Sequence, residues 1–302
     1  MKKPNLFIVG SPKCGTTALS EYLREHPNIY MSEPKEPHYF AIDIPKYRTI
    51  KTEDEYYNIF DKSTDKHKII GEASVFYMYS KVAINNIKRF NPDAKIIVML
   101  RNPVQVAYSM HSQLLYTKDE DVSDFIKAWE LIDKRKQGFN VPKFCRDRKV
   151  LYYDEIAKYS NQLSRLFNVF PNKQIKIIFF DDFIKDTCSV YKDVLRFLEL
   201  EDDNRLSFSK INENKRHNLD FVSNFTQRPP QFIRSMVKPL KIIPGLKDSL
   251  LFIMEGIRSI NSIKGARQPL SNDIKMEMIE VYRDDIIALS DITDRDLHHW
   301  LY

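Results

Sequence analysis

Apolar positions along this chain fall in short blocks separated by longer stretches with a helical rhythm. Residues 6–9, 69–71, 95–100 and 175–180 are brief runs, rich in Ile and Val and bounded by charge, and they predict buried strands. Between them, segments near 16–26, 80–90, 103–116, 122–135, 154–170 and 189–198 carry apolar residues at helical spacing, the first stopped by Pro27. Strands alternating with helices of this length predict an α/β fold: a central parallel sheet flanked on both faces by helices. After about residue 200 the strand signal stops and the pattern becomes loops and helices. The expected organisation is one P-loop-like domain over residues 1–302, with a core at 1–200 and a mostly helical C-terminal extension at 200–302 packed on it.

Composition narrows the ligand more than the fold. With 47 Lys and Arg against 41 Asp and Glu, the formal charge of +6 suits an anionic ligand and falls short of a dedicated nucleic-acid binder. Cys14, Cys145 and Cys188 are odd in number and far apart, so neither a disulfide framework nor a metal site is expected. MKKPN runs directly into the first strand and no apolar run reaches the length of a membrane span, so the expected location is cytoplasmic.

The first strand and helix are joined by a turn that carries chemistry. In FIVGSPKCGTTALSEYL, Gly10 and Gly15 have the spacing of a Walker A loop, but Thr16 follows Gly15, and Lys13 precedes that glycine by two. A helix N-terminus offers unpaired N–H groups and the positive end of its dipole, so the turn predicts an anion seat. Gly15 allows close approach, the Thr16 and Thr17 hydroxyls add donors, and Lys13 would project over the anion. In KIIVMLRNPVQVAYS a strand ends in Arg101, where a metal-dependent NTPase would place an acid; a forked arginine suits a second phosphate. The loop SEPKEPHYF is braced by Pro34 and Pro37 and holds Glu33, Lys35, Glu36 and His38. Glu33 can pair with Lys35, while Glu36 and His38 are suited to serve as a base and its orienting partner.

Together these stretches resemble the sulfotransferases that use 3′-phosphoadenylyl sulfate (PAPS), most of all the heparan-sulfate type and its bacterial relatives. PKCGTTAL is similar to their loop for the 5′-phosphosulfate, RNPVQVAYS to their 3′-phosphate site, and KEPHYF to the segment with a catalytic glutamate and nearby histidine. The resemblance implies Lys13 at the leaving group and backbone N–H groups of Cys14, Gly15, Thr16 and Thr17 on the 5′-phosphate. It further implies Arg101 and Ser109 on the 3′-phosphate, Glu36 as base and His38 assisting it. Lys264, Gly265, Ala266, Arg267 and Gln268 align with a cofactor-contacting loop. PAPS would be the donor and the 3′,5′-bisphosphate (PAP) the product, with no metal. Ala73 stands where the heparan-type enzymes usually carry a lysine, which argues against heparan as acceptor and not against sulfuryl transfer. Tyr39, Phe40, Phe76, Tyr77, Tyr79 and Tyr108 are expected around the cleft, so the acceptor class stays open among a glycan, a lipid and a small hydroxylated molecule. The basic, apolar segment 228–260 suits an acidic-glycan groove, peripheral contact with a membrane, or a helical cover on the sheet. Two rival readings remain, a P-loop kinase and an inert nucleotide-binding module.

Overall fold

The structure, a computed structural model, describes residues 3–209, 211, 215–217, 262–264 and 269–302, the two three-residue stretches by their backbone alone. Its centre is a parallel sheet of five strands in the order β2-β3-β1-β4-β5: β1 (Leu6–Gly10), β2 (Ile29–Met31), β3 (Ile69–Ala73), β4 (Lys95–Leu100) and β5 (Ile175–Phe179). Every residue of β1 is buried, as expected of a strand covered on both faces. Strand β2 has no counterpart among the predicted runs, because three residues are too few to show a period.

The helices are α1 (Thr16–Arg24), α2 (Glu53–Asn58), α3 (Ala83–Phe90), α4 (Pro103–Thr117), α5 (Phe125–Glu130), α6 (Ile132–Lys136), α7 (Tyr153–Ile156), α8 (Ser160–Phe167), α9 (Phe180–Lys185), α10 (Thr187–Phe197) and α11 (Asn272–Thr293). Two predicted helices are each broken by a cap. The pattern at 122–135 yields α5 and α6, with Asp124 accepting from the Lys127 N–H at 3.1 Å to start α5 at Phe125. The pattern at 154–170 yields α7 and α8, because a distant side chain sets where α8 begins: Asp285 of α11 accepts from the Tyr159 N–H (2.7 Å), the Ser160 N–H (3.1 Å) and the Ser160 hydroxyl (2.5 Å).

The chain resolves into two compact units. One comprises residues 1–110, 152–212 and 271–302 and contains the whole five-stranded sheet; the other comprises 111–151 and 213–270. In the first, the C-terminal stretch is fastened to the core: the Tyr282 hydroxyl donates to the Tyr153 carbonyl (2.7 Å), Arg295 forks onto Asp182 (2.6 and 2.8 Å), and the Trp300 indole donates to Asp181 (2.9 Å). In the second, Arg135 forks onto Glu120 at 2.6 and 2.7 Å with both side chains fully buried, and Arg146 pairs with Asp119. This unit also corrects the reading that strands end near residue 200: β6 (Lys215–His217) pairs antiparallel with β7 (Ser262–Lys264). Three-residue strands without an apolar run leave no block pattern to detect. The segment 228–260 lies outside the described residues, and among those described no helix is long and apolar enough to cross a membrane.

Removing the remote cap of α8 should be costly. Asp285→Ala leaves two main-chain donors of a helix start without their acceptor, an expected loss of about 2 kcal/mol. A urea titration checks this as a lower midpoint at unchanged slope.

Candidate active site

In a parallel sheet, ligands gather at the carboxyl edge where the strand order reverses. Here that point lies between β1 and β4, since the chain leaves β1 towards β3 and later returns to the opposite side. The turn from β1 to α1 opens into it. Gly10 (φ 146°) and Gly15 (φ 90°) both need glycine; a Cβ on Gly15 would lie 3.1 Å from the Phe180 ring and 3.3 Å from the Met99 methyl. No side chain caps α1 and its first turn holds no acid, so its leading N–H groups suit an anion. Thr16 is buried and Thr17 half-buried. Lys13 itself is left-handed (φ 63°), and its carbonyl accepts from the Arg101 guanidinium at 3.2 Å.

Arg101 emerges at the end of β4, as the sequence predicts. Its Nε donates to the Gln105 side-chain oxygen (3.0 Å), and its guanidinium lies over the Phe180 ring, 4.4 Å from the centroid. Its carbonyl accepts from the Tyr159 hydroxyl at 3.0 Å, and that hydroxyl lies 3.9 Å from the Cys14 sulfur. Burial pushes the Cys14 thiol up to about 12, so Cys14 can serve a ligand through its backbone and not as a thiolate. Ser109 sits about two turns into α4 and is 1% exposed, well inside the helix packing. Lys264 ends β7 with only its backbone described, and Gly265, Ala266, Arg267 and Gln268 lie outside the described residues.

The loop after β2 reaches this seat through one lysine. The Lys35 ammonium donates to the Glu36 carboxylate at 2.8 Å and to the Thr16 hydroxyl at 3.4 Å, joining the candidate base to the first residue of α1. Glu33 pairs with Arg24 (3.4 Å) instead of Lys35, because the lysine turns to Glu36. The His38 ring approaches the other Glu36 oxygen at 3.8 Å, and its Nδ1 lies 3.2 Å from the Glu36 carbonyl. Burial would raise the Glu36 carboxyl, but the charges of Lys35, His38 and Lys13 outweigh it and hold the group below its ordinary value.

Sequence reasoning missed the residue beneath this loop. Glu72, next to last in the apolar strand β3, is 0% exposed and accepts from Ser74 (2.6 Å), Tyr77 (2.8 Å) and Tyr56 (2.9 Å). Burial raises its carboxyl to about 7 despite these three donors. The available signal was a lone acid inside an otherwise apolar strand, IIGEA. Of the aromatics expected around the cleft, Phe40, Phe76 and Tyr77 are buried core residues, Tyr39 stacks on Tyr56 with centroids 4.4 Å apart, and Tyr79 and Tyr108 are half-buried.

Fold and site together define an α/β protein with an uncapped helix start at the switch point of a parallel sheet. A profile of the sulfotransferase domain matches residues 3–236, and the chain belongs to the sulfotransferase family. It is similar to mouse carbohydrate sulfotransferase 15, 26% identical over 249 residues covering 65% of this chain and 44% of that protein. It is also similar to human heparan sulfate glucosamine 3-O-sulfotransferase 6, 35% identical over 112 residues covering 37% of this chain and 31% of that one. The chain thus spans less than half the length of these relatives. A crystal structure of a sulfotransferase from Alicyclobacillus acidocaldarius matches over 100% of both chains, with a TM-score of 0.71 and 25% identity.

Glu72 makes stability depend on pH in a defined direction. Its folded-state carboxyl titrates near 7 instead of the ordinary 4.5, so between these values the native state keeps a proton that the unfolded chain has lost. The contribution of this group therefore falls as pH rises from about 4.5 to 7 and is flat above. Glu72→Gln cannot titrate, so the stability of the wild type relative to this variant should drop by up to about 3 kcal/mol across that window. Denaturant titrations of both proteins at pH 5, 6, 7 and 8 check the slope.

Proposed function

We propose that this protein transfers a sulfuryl group from PAPS to a hydroxyl or amine of an acceptor, by in-line displacement that releases PAP. The observation that carries the reading is the Lys35 bridge, which sets the Glu36 carboxylate beside the N-terminus of α1, in a chain of the sulfotransferase family. Displacement needs the base and the leaving-group cation on either side of one transferring group. Glu36 and the phosphate loop supply those two sides.

The residues present fit such a donor. An uncapped helix start, glycines at both ends of the turn and no acid in the first turn suit the 5′-phosphate, with N–H groups of residues 14–17 holding it. Lys13 answers the charge that develops on the bridging oxygen as the sulfur–oxygen bond breaks. Arg101, with Ser109, takes the 3′-phosphate, and the family resemblance assigns a cofactor contact to Lys264, Gly265, Ala266, Arg267 and Gln268 as well. Glu36 stays ionised at neutral pH because its pKa is lowered, so it is ready to accept the acceptor's proton. A weak base takes that proton late, once the new sulfur–oxygen bond has made the hydroxyl acidic; His38 orients it. A carbohydrate acceptor is supported by the named relatives, which are carbohydrate and heparan sulfate sulfotransferases. The kinase reading loses support from Arg101, which stands where Mg²⁺ would require an acid.

Lys13→Ala should lower kcat by roughly 10²–10³, because the charge acts mainly in the transition state, while PAP affinity measured by calorimetry weakens far less. Near-normal turnover would remove Lys13 from the mechanism. Glu36→Gln should lower kcat by about 10²–10⁴ with donor affinity retained. If His38→Ala is inactive and Glu36→Gln keeps the wild-type rate and pH profile, His38 is the base instead.

Arg101 is tested by donor choice. PAPS should be strongly preferred over adenylyl sulfate, which lacks the 3′-phosphate, and Arg101→Ala should narrow that preference by about 10-fold or more, the loss of a charged hydrogen bond of roughly 1.5–3 kcal/mol. Unchanged discrimination would move the 3′-phosphate elsewhere.

A further inference from the structure

The mechanism above uses Glu36 and His38 and leaves Glu72 unused, yet Glu72 is the more expensive residue. A carboxylate in the interior of a sheet loses its hydration, and apolar side chains could fill the same volume. Strand β3 places it opposite Phe7 of β1, fully buried, with no basic side chain among its hydrogen-bond partners in the described residues. Its partners are three hydroxyls. Ser74 donates to one oxygen, Tyr56 and Tyr77 to the other.

Two of these hydroxyls work in both directions. Ser74 also accepts from the His38 N–H at 3.0 Å, and Tyr77 also accepts from the Phe40 N–H at 3.3 Å. A hydroxyl has one proton; once that proton is committed to the carboxylate, its lone pairs face the amide. Glu72 therefore sets the polarity of two side chains that grip the base loop at alternate residues. A third link runs from the strand backbone, where the Ala73 N–H donates to the Lys35 carbonyl at 3.2 Å. The grip falls where the loop is least at ease, since His38 has a φ of 50°, a region an L-residue adopts only when its surroundings hold it. The imidazole so placed lies against Phe76 (5.4 Å between centroids), Tyr77 (6.2 Å) and Tyr47 (6.3 Å).

We propose that Glu72 is a positioning residue for sulfuryl transfer: through Ser74 and Tyr77 it holds the main chain of His38 and Phe40, and so aims Glu36 and His38 at the phosphate loop. Glu72 touches neither substrate. The proposal rests on the reading of Glu36 and His38 as the base pair, and it explains why a hydroxyl stands at Ser74 beside a buried acid.

The test compares Ser74→Ala, Ser74→Thr and Glu72→Gln, with Ser74→Ala keeping the proposal testable should Glu72→Gln fail to fold. Three quantities are read: kcat, PAP affinity by calorimetry, and the side-chain ¹H–¹⁵N resonances of the His38 ring, assigned by their absence in His38→Ala. Ser74→Ala and Glu72→Gln should each lower kcat by about 10- to 100-fold, the scale of an ångström-sized misplacement. PAP affinity should stay within about twofold and the His38 resonances should move; Ser74→Thr, which keeps the hydroxyl, should recover most of the rate. A kcat within about twofold of wild type in Ser74→Ala, with unmoved His38 resonances, overturns the proposal. So does a rate loss matched by an equal loss of PAP affinity, which would mark general damage. Moved resonances with an unchanged rate, in a protein whose Glu36→Gln variant also turns over normally, uphold the grip on the loop and overturn the base reading instead.

Discussion

The parallel pairing of β1 with β3 on one side and β4 on the other governs the rest of this molecule. Hydrogen-bond ladders from Leu6 to Gly71 and Lys95 bring three strand ends to one edge without any side chain being asked to do so. The turn into α1, a buried acid and an exit arginine then occur together because each occupies the first residues beyond, or the last within, a strand. The reversal of strand order at β1 opens the crevice between the turn to α1 and Arg101. Sheet topology thus decides which residues meet, and the turns decide how they are aimed.

Electrostatics separates two carboxylates that lie close together in the fold. Glu36 has Lys35 in contact and Lys13 and His38 near, and these favour its charged form. Glu72 has hydroxyl donors, no cation in contact, and the charge of Glu36 as a further burden, so its neutral form gains. Environments that push neighbouring acids in opposite directions assign them different work. The cation-rich one is exposed to the crevice; the hydroxyl-bound one is sealed beneath it.

Much of this was legible in the chain, and what was not has identifiable physical causes. Strand β4 could be read to the residue because its apolar run is bounded by Lys95 and Arg101. The turn at Gly10 and Gly15 could be read because only glycine tolerates those backbone angles. Strand β2 could not, being too short to be periodic. The start of α8 was hidden for a different reason: its cap, Asp285, lies more than a hundred positions downstream. Glu72 was present in plain view as an acid in an apolar strand, but its partners Tyr56, Ser74 and Tyr77 assemble only when α2 and the turn after β3 come together. Periodicity reports which face of an element is buried. It is silent about which polar groups the burial brings into register.

The cap on α8 also bears on how the protein is made. Asp285 fixes Tyr159, and Tyr159 holds the carbonyl of Arg101 and lies against Cys14 of the turn between β1 and α1. Strands β1 and β4 leave the ribosome early and can pair with each other, yet the arginine and the loop acquire their last brace only when α11 has been synthesised. A nascent chain therefore carries paired strands whose adjoining turn stays unbraced until α11 has been made. The same wiring means that damage to α11 would be felt at the turn between β1 and α1, far from it in sequence.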